Sequence, residues 1–402
     1  MHQPTGINTT AIHGGFAHGS VGQPVSPPIV AATSFHTHPD AVGFSATEMN
    51  DATPPFYTRW SNPTVTVLED RLTALEKGAG AVAYATGMGA IAALLLARLS
   101  AGDHLIVSSV CYAGVAEFAK DTLPRFGIEV SAVDTTNTQA VAHAIRPGKT
   151  RLIHVETPAN PTLSLSDIQA LAALAHDAGA ELSVDSTIAT PIGTQPLSLG
   201  ADFVVHSLTK YICGHGDALG GAVIVRDKAR LAELRQGALV HQGAALSPFA
   251  AWLILRGLET LPLRMAAHEA NARRVAGFLA EHPAVRNVYW PGLATHPQAE
   301  LARRQMRNFS GLLSFRVKTD SAGLARRLAQ QARLVSYAVS LGKTKSLVFF
   351  IPTEDILRTS FDLDAEGAQA YRAVAGEGVF RLSVGLEDVD DVVAELSAAL
   401  DQ

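Results

Sequence analysis

The chain has 402 residues, of which 47% are hydrophobic and 17% are charged, and its formal net charge is −5 at pH 7. This length allows two to three domains at roughly 150 residues each, and without a basic block the sequence gives no indication of a nucleic-acid partner. The longest apolar run, residues 90–97, is too short to span a bilayer. The low fraction of charged residues favours a surface partly covered by partner subunits.

The cysteine pattern and the N-terminal residues indicate the compartment. Cys111 and Cys213 form neither a disulfide framework nor a metal-ligand spacing, and the histidines are scattered. The first residues do not show the charged and apolar parts of a secretion signal. We therefore expect a cytoplasmic protein without a membrane segment and without a bound metal.

Residues 1–60 are rich in Gly, Pro, Ser and Thr and have little hydrophobic periodicity. Residues 24–35 have the pattern of an extended segment with several apolar side chains. Such a segment has no core of its own and usually packs on another domain or subunit. We predict an N-terminal extended arm over 1–60 that contacts the neighbouring subunit, with disorder as the alternative.

Between residues 61 and 258, segments typical of strands alternate with segments typical of helices. The pattern predicts helices at 64–76, 90–99 and 167–178, and strands at 81–84, 104–107, 151–155, 181–184, 203–205 and 222–225. This alternation is typical of an α/β domain with a mostly parallel sheet. Ligands of such sheets bind beyond the carboxyl ends of the strands.

The part after this domain, 259–402, has a different pattern. A helical run at 249–279 leads away from the α/β domain. Strands at 312–317 and 379–384 and helices at 321–332 and 389–400 follow. We predict a linker helix and a smaller C-terminal α+β domain.

The stretch 206–221 lies between two predicted strands and contains Lys210 together with the hydroxyls of Ser207 and Thr209. A lysine is costly to bury, and neighbouring hydroxyls can bind a phosphate. An amine nucleophile beside an anion site is the combination that pyridoxal phosphate (PLP) requires. The alternative is a surface lysine in a polar turn.

Two further strand ends are consistent with this chemistry. Thr86-Gly-Met-Gly89 lies at a strand-to-helix junction, where unpaired amides and the helix dipole favour an anion. It is not the GxGxxG fingerprint of a nicotinamide cofactor.

Asp185 ends a buried strand, where a carboxylate needs a cationic partner such as a pyridinium nitrogen. Capping of a helix is the alternative role for this residue.

Ordered motifs run through nearly the whole chain. They include Tyr57-Thr-Arg-Trp-Ser-Asn-Pro-Thr64, Thr86-Gly-Met88, Tyr112-Ala-Gly114, Glu156-Thr-Pro-Ala-Asn-Pro161, Val184-Asp-Ser-Thr187, His206-Ser-Leu-Thr-Lys-Tyr211, Ala338-Val-Ser-Leu-Gly342 and Arg381-Leu-Ser-Val-Gly-Leu-Glu-Asp388. Through them the chain resembles the Cys/Met-metabolism family of PLP-dependent enzymes, which includes cystathionine γ-synthase, cystathionine γ-lyase, methionine γ-lyase and O-acylhomoserine sulfhydrylase. The resemblance implies PLP as cofactor, the type I (aspartate-aminotransferase-like) fold, and a homotetramer built from two catalytic dimers.

The resemblance also implies roles for individual residues. Lys210 would carry the cofactor as a Schiff base and then act as the base, Asp185 would hold the pyridine nitrogen, and Tyr112 would stack on the ring and assist the leaving group. The phosphate would be bound by Gly87, Met88, Ser207 and Thr209 and, from the neighbouring subunit, by Tyr57 and Arg59. Arg381 would bind the substrate α-carboxylate in a bidentate geometry that lysine cannot reproduce. Asn160 and Ser340 would help to place the cofactor oxygen and the carboxylate.

Four features depart from the family pattern, and one of them is the absence of the Thr-His stretch that is usual soon after Pro352. Ser186 follows the ring aspartate where asparagine is common, and Gly114 stands where methionine γ-lyases tend to carry a cysteine. Lys345 replaces a glutamate that many members carry, which would reverse the charge near the distal end of the substrate. The alternative is that Lys345 points to solvent.

We carry three functional hypotheses. The first is γ-elimination from an amino acid of the methionine, cystathionine or homoserine type, including one with an unusual γ-substituent such as a halide. The second is γ-replacement, in which a thiol or another nucleophile joins an O-acylhomoserine. The third is a non-catalytic PLP-binding protein, which the presence of Lys210, Asp185, Tyr112 and Arg381 argues against.

Overall fold

The computed structural model describes residues 6–16, 21–40, 45–48, 53–318 and 320–402. Within these ranges the chain forms two sheets with helices packed around them. The larger sheet consists of β1 (Gly80–Tyr84), β2 (His104–Ser108), β3 (Glu129–Val133), β4 (Thr150–Glu156), β5 (Glu181–Asp185), β6 (Phe203–Ser207) and β7 (Gly221–Val225). Their spatial order is β1-β7-β6-β5-β4-β2-β3.

Most neighbours in the larger sheet are parallel. Strand β7 is antiparallel to both β1 and β6, whereas β6, β5, β4, β2 and β3 run parallel to one another. Apart from β3, which is half-buried, the strands are almost completely buried and therefore appear in the sequence as short apolar runs. The predicted type I fold with a mostly parallel central sheet is confirmed.

Fifteen α-helices lie in the described ranges. They are α1 (Ile7–His13), α2 (Pro63–Glu76), α3 (Gly87–Arg98), α4 (Ala113–Glu117), α5 (Thr138–Ala144), α6 (Ile168–Asp177), α7 (Thr190–Gly193), α8 (Lys228–Ala232), α9 (Pro248–Glu259), α10 (Leu261–Glu281), α11 (Ala299–Gln305), α12 (Ser321–Gln331), α13 (Thr353–Thr359), α14 (Ala365–Ala375) and α15 (Val389–Leu400). Two π-helical segments, Phe118–Thr122 and Glu233–Val240, and three 3₁₀ turns, Ala46–Glu48, Leu123–Phe126 and Pro196–Leu199, complete the helical structure.

Helix α2 shows how local sequence sets these boundaries. The Asn62 side chain accepts a hydrogen bond from the Thr64 amide at 3.0 Å, and Pro63 occupies the first helical position, where no amide proton is needed. The helix ends at Lys77, whose φ of 56° is left-handed. Its leucines lie on one buried face that packs against β1 and α9.

The second sheet belongs to the C-terminal part of the chain. It consists of β8 (Val285–Tyr289), β9 (Leu312–Val317), β10 (Ser336–Tyr337), β11 (Leu347–Pro352) and β12 (Gly378–Ser383), in the spatial order β10-β11-β12-β9-β8. Its core includes Trp290 and the stacked rings of Phe315 and Phe380, whose centroids are 5.1 Å apart. Helix α10, with 21 residues, leads into this sheet from the first part of the chain.

Several elements differ from the sequence predictions. The predicted extended arm contains a helix, α1, which packs on α2, and the predicted helical run at 249–279 is two helices, α9 and α10. Strands β3, β8, β10 and β11 were not predicted. Part of the arm, including residues 17–20, 41–44 and 49–52, lies outside the described residues. The contact of the arm with a neighbouring subunit and the domain boundaries at 60 and 258 stay predictions.

Candidate active site

The parallel strands β4, β5 and β6 bring three chemically important side chains to one edge of the larger sheet. Glu156 and Asp185 are the last residues of β4 and β5 and are register partners, and Asp185 pairs in turn with Val205 of β6. The turn after β6 carries Lys210. The carboxyl ends of parallel strands are where α/β proteins bind ligands.

The amine of Lys210 lies between the two parts of the chain. Its Nζ atom donates a hydrogen bond to Ser340 Oγ at 3.2 Å. Burial lowers the pKa of Lys210 to about 8, with further lowering by the charges of Arg381 and Lys343 and a smaller opposing effect of Asp185. About a tenth of this amine is therefore neutral at pH 7, a far larger share than in an ordinary lysine, and the neutral form is the one that acts as nucleophile and base.

Arg381 lies on β12 and is hydrogen-bonded to the same serine that Lys210 contacts. Its Nη1 atom donates to Asn160 Oδ1 at 3.2 Å, and its Nη2 atom donates to the Ser340 carbonyl at 3.1 Å. Burial lowers the pKa of Arg381, and the charge of Glu156 opposes this shift. Ser340, with a φ of 85°, has a backbone conformation that is uncommon for a residue other than glycine and typical of functional sites. Ser340 thus links the predicted base to the predicted carboxylate-binding arginine.

The N-terminus of α3 forms a tight pocket with the end of β6. Gly87 and Met88 are the first two helical residues, so their amides have no partner within the helix. A Cβ atom on Gly87 would lie 2.8 Å from the Ser207 Cβ atom, which shows how closely the two segments approach. The Thr86 hydroxyl caps the helix by accepting from the Gly89 amide at 2.9 Å.

Thr209 and the glycines after the lysine turn complete this pocket. The Thr209 hydroxyl accepts from the Gly220 amide at 3.1 Å and lies 3.3 Å from the Gly220 carbonyl. A Cβ atom on Gly221 would lie 2.1 Å from the Thr86 carbonyl, so only glycine allows this approach. A helix N-terminus with adjacent hydroxyls suits the phosphate of PLP.

Asp185 is 7% exposed and accepts a hydrogen bond from the Thr187 amide at 3.0 Å. The next residue, Ser186, is completely buried, and no hydrogen-bond partner for its hydroxyl is found in the described structure. A nearly buried carboxylate near a lysine amine and an anion pocket is the donor set that a pyridinium ring with a phosphate needs. The residues present therefore fit PLP.

Tyr112 precedes α4 and remains 49% exposed, which is unusual for an aromatic ring within a site. Its ring lies against Gly114, because a Cβ atom there would be 2.8 Å from Tyr112 Cε1 and 3.4 Å from Met88 Sδ. Glycine at position 114, where methionine γ-lyases tend to carry a cysteine, therefore leaves room for the Tyr112 ring.

Glu156 is a site residue that the sequence interpretation quoted in a motif but gave no role. Its carboxyl group accepts from the Tyr112 amide at 2.5 Å and from the Asn160 amide at 2.8 Å. Burial and the charge of Asp185 raise the pKa of Glu156. Glu156 thus fixes the backbone of two predicted cofactor-binding residues. Its position at the end of an apolar strand, like that of Asp185, was the signal available in the sequence.

Tyr57 and Arg59 lie apart from the other predicted phosphate-binding residues. The Arg59 guanidinium donates to the Val240 carbonyl and lies 5.7 Å from the centroid of the Tyr57 ring, which is 43% exposed. In the described structure, neither side chain is hydrogen-bonded to the pocket of Gly87 and Ser207 in its own chain. Their predicted contact with the phosphate of a neighbouring subunit stays a prediction.

Two lysines follow the Ser340-Leu-Gly342 motif, and their exposure differs. Lys345 is exposed and has no ion pair in the described part of the chain, which favours the alternative that it points to solvent. Lys343 is half-buried instead, and its charge acts on Lys210. The sequence interpretation did not consider Lys343.

The described ranges lack a metal-binding cluster and a membrane-spanning helix. They contain no group of three or more His, Cys, Asp or Glu side chains placed to hold a metal ion. No helix in them has the length and apolar character that crossing a membrane requires. Cys111 and Cys213 are both buried and unpaired by any disulfide.

Comparison with known proteins places this geometry in a family. The profile of the Cys/Met metabolism PLP-dependent enzymes matches residues 8–401. The chain is 40% identical over 406 residues to an L-methionine gamma-lyase of Fusobacterium nucleatum, which covers 99% of this chain and 98% of the relative. It is also 40% identical over 399 residues to a canavanine gamma-lyase of Pseudomonas canavaninivorans, covering 98% and 96% respectively.

A synthase and a solved structure are similar as well. A cystathionine gamma-synthase of Mycobacterium tuberculosis is 39% identical over 405 residues, covering 98% of this chain and 97% of the relative. The crystal structure of metB from Corynebacterium glutamicum superposes with a TM-score of 0.86 at 34% identity, covering 99% of this chain and 98% of that one. The predicted class, a PLP-dependent γ-lyase or γ-replacement enzyme, is confirmed at the level of the family. The chain belongs to the Cys/Met metabolism family of PLP-dependent enzymes.

Proposed function

We propose that this enzyme catalyses γ-elimination from an amino acid with a leaving group on its γ carbon. The observation that carries the proposal is the link through Ser340, whose hydroxyl lies 3.2 Å from Lys210 Nζ and whose carbonyl lies 3.1 Å from Arg381 Nη2. A substrate whose α-carboxylate is bound by Arg381 would present its α carbon to the amine of Lys210. This is the arrangement that α-proton removal requires.

The cofactor and the chain divide the chemistry between them. PLP, when bound, withdraws electrons from the substrate so that protons on the α and β carbons become acidic. Lys210 would take the α proton on Nζ, and its pKa of about 8 suits an amine that must both take and return protons near neutral pH. Asp185 would hold the pyridine nitrogen in its protonated state.

Tyr112 is placed to act on the leaving group. Its half-exposed ring lies beside Arg381 and over Gly114, at the open side of the site. Its hydroxyl can donate a proton to the γ-substituent as the bond to the γ carbon breaks. The net reaction takes up one water and yields ammonia, a 2-oxo acid and the protonated leaving group.

The substrate is an amino acid of the methionine, cystathionine or homoserine type, or one with a less common γ-substituent such as a halide. Relatives named as gamma-lyases for methionine and for canavanine support elimination. The relative named cystathionine gamma-synthase supports the second candidate, γ-replacement on an O-acylhomoserine by a thiol. Both reactions use the same site residues.

We also propose a homotetramer of two catalytic dimers in the cytoplasm. In the described structure, Tyr57 and Arg59 do not reach the phosphate pocket of their own chain, so their predicted role needs a neighbouring subunit. Two buried, unpaired cysteines are compatible with a reducing compartment. Light scattering after size-exclusion chromatography tests the assembly, and a monomer with full activity would contradict it.

The test of function is a panel assay on the PLP-loaded enzyme without an added nucleophile. Methionine, cystathionine, O-acetylhomoserine, O-succinylhomoserine and 4-chlorinated amino acids are offered separately, and ammonia and 2-oxo acids are measured by mass spectrometry. Turnover identifies an elimination enzyme and its γ-substituent. A spectral change of the cofactor, with product only after addition of a thiol, would identify a synthase instead. A spectral change without any product under either condition would contradict both reactions.

A further inference from the structure

The segment from Ser340 to Thr344 lies along the lysine turn. A Cβ atom on Gly342 would lie 2.6 Å from the Tyr211 amide nitrogen and 3.1 Å from the Lys210 carbonyl carbon, so this glycine touches the backbone of the catalytic lysine. Two residues later, the Thr344 amide donates to the Gly214 carbonyl at 3.0 Å. These contacts fix the position of Lys343 between them.

The side chain of Lys343 lies across the glycine-rich turn. A Cβ atom on Gly216 would be 2.6 Å from Lys343 Cε and 2.9 Å from Lys343 Nζ. Residues 215–217 of this turn are exposed, whereas Lys343 is half-buried. The ammonium group therefore lies against the exposed part of the turn that carries the catalytic lysine, within reach of solvent.

Lys343 is not neutralised by an acid in the described structure. Asp217, the acid on the same turn, accepts a hydrogen bond from the Cys213 thiol at 3.2 Å and forms no ion pair with Lys343 in the described structure. The charge of Lys343 nevertheless acts on Lys210. A half-buried cation without a partner stays solvated in the empty site and is available to an anionic ligand.

The other two cations of the site already have partners in the proposed reaction. Lys210 would be joined to the cofactor, and Arg381 would bind the α-carboxylate. Asp185 and Glu156, the acids of the site, lie at the ends of β5 and β4, and neither forms an ion pair with Lys343 in the described structure. Neither the cofactor nor the α-carboxylate of an amino-acid substrate would therefore neutralise the charge of Lys343.

We propose that Lys343 determines specificity by binding a second carboxylate, carried on the γ-substituent of the substrate. The inference rests on the proposed function, because it assumes an amino acid bound through Arg381 with its γ-substituent directed to the opening. A substituent that ends in an acidic group gains a charge-assisted contact there, and a neutral one does not. The selected class is an amino acid with an acidic leaving group, such as a dicarboxylic ester of homoserine.

The experiment compares two esters that differ in one distal carboxylate, O-succinylhomoserine and O-acetylhomoserine. Their dissociation constants are measured from the absorbance of the cofactor in the loaded enzyme, and kcat/KM is measured wherever turnover occurs. The wild-type enzyme is expected to favour the succinyl ester. Lys343→Met should reduce the succinyl-to-acetyl ratio roughly tenfold, the effect of one charge-assisted contact. Lys343→Arg should retain most of the ratio.

Lys345→Met is the matched control, because it removes an exposed lysine two residues away. Its succinyl-to-acetyl ratio should equal that of the wild-type enzyme. A wild-type enzyme that favours the acetyl ester, or a Lys343→Met enzyme with an unchanged ratio, would overturn the inference. The binding ratio does not require turnover, so an enzyme that discriminates between the esters but eliminates from no amino acid would refute the proposed function and leave the role of Lys343 supported.

Discussion

The two ends of the site are built in different ways. At the phosphate end, Gly87 and Gly221 bring backbone segments so close that a Cβ atom on either would overlap its neighbour. At the opening, Tyr112 is exposed and Lys343 is half-buried on a bend. The cofactor would therefore meet a surface fixed by main-chain packing, whereas the distal part of a substrate would meet movable side chains.

This difference separates the reaction from its specificity. A pocket made of helix amides and tightly packed glycines accepts few substitutions, because any side chain must displace backbone. A half-exposed side chain at the opening can change without disturbing the fold. Substitutions near the cofactor should abolish or weaken the whole reaction, and substitutions near Lys343 should change which substrate is preferred.

The largest effect is expected for Lys210→Ala. The variant loses the covalent link to the cofactor and the base, and kcat should fall by about 10³-fold or more. The absorbance of the covalently bound cofactor should disappear, which is measured together with ammonia release. Lys345→Ala is the control and should retain both. Substantial turnover by Lys210→Ala would refute the mechanism.

The next largest effect is expected for Arg381→Lys. Lysine cannot provide the two parallel donors that a carboxylate accepts, and it would also lose a contact with either Asn160 or Ser340. We expect kcat/KM to fall roughly 100-fold. With the amide of the same amino acid, which has no α-carboxylate, kcat/KM should fall much less. Equal losses for the acid and its amide would show that Arg381 does not bind the α-carboxylate.

The strand ends at the cofactor side could be predicted from the sequence because each depends on local pattern. Asp185 and Lys210 follow short apolar runs, and parallel strands place their carboxyl ends together. The role of Glu156 could not be predicted in this way. It depends on amides at positions 112 and 160, one of which is brought to the carboxyl group only by the fold.

The opening of the site was harder to predict for a similar reason. The chain bends at 343–345, so sequence alone does not show which of the two lysines packs against the turn that carries Lys210. Strand β11, which begins just after this bend, was not predicted although it carries an apolar run. Its position next to β12 in the sheet is what fixes the bend relative to Arg381.

A pH experiment measures the environment of Lys210 directly. Only the neutral amine can form the covalent bond to PLP, and burial lowers the pKa of Lys210 from 10.5 to about 8. Reattachment of PLP to the cofactor-free enzyme should therefore accelerate with rising pH around a midpoint near 8. At pH 7 the neutral fraction exceeds that of an ordinary lysine by on the order of 10². Acceleration continuing to pH 10 would show an unperturbed amine.

A smaller effect is expected for Gly87→Ala. The new methyl group would lie 2.8 Å from the Ser207 Cβ atom, so the N-terminus of α3 must shift away from the end of β6. The affinity for PLP should fall roughly tenfold, measured by titration of the cofactor-free enzyme. Gly277→Ala in helix α10 is the matched control, because a Cβ atom there meets nothing within 4 Å. Equal affinities in the two variants would exclude a close phosphate pocket at Gly87.

The smallest effect is expected for Gly114→Cys, which changes the side of the site facing the leaving group. A Cβ atom at this position would lie 2.8 Å from Tyr112 Cε1, but the contact is with a movable ring and not with backbone. The ring should therefore turn aside at little cost in stability, and kcat should fall only severalfold because the leaving group is protonated less well. The leaving group of a halide substrate needs no proton, so kcat for such a substrate should fall less than kcat for a thioether. Equal losses for the two substrates would mean that Tyr112 does not assist the leaving group, and that position 114 affects the reaction by another route.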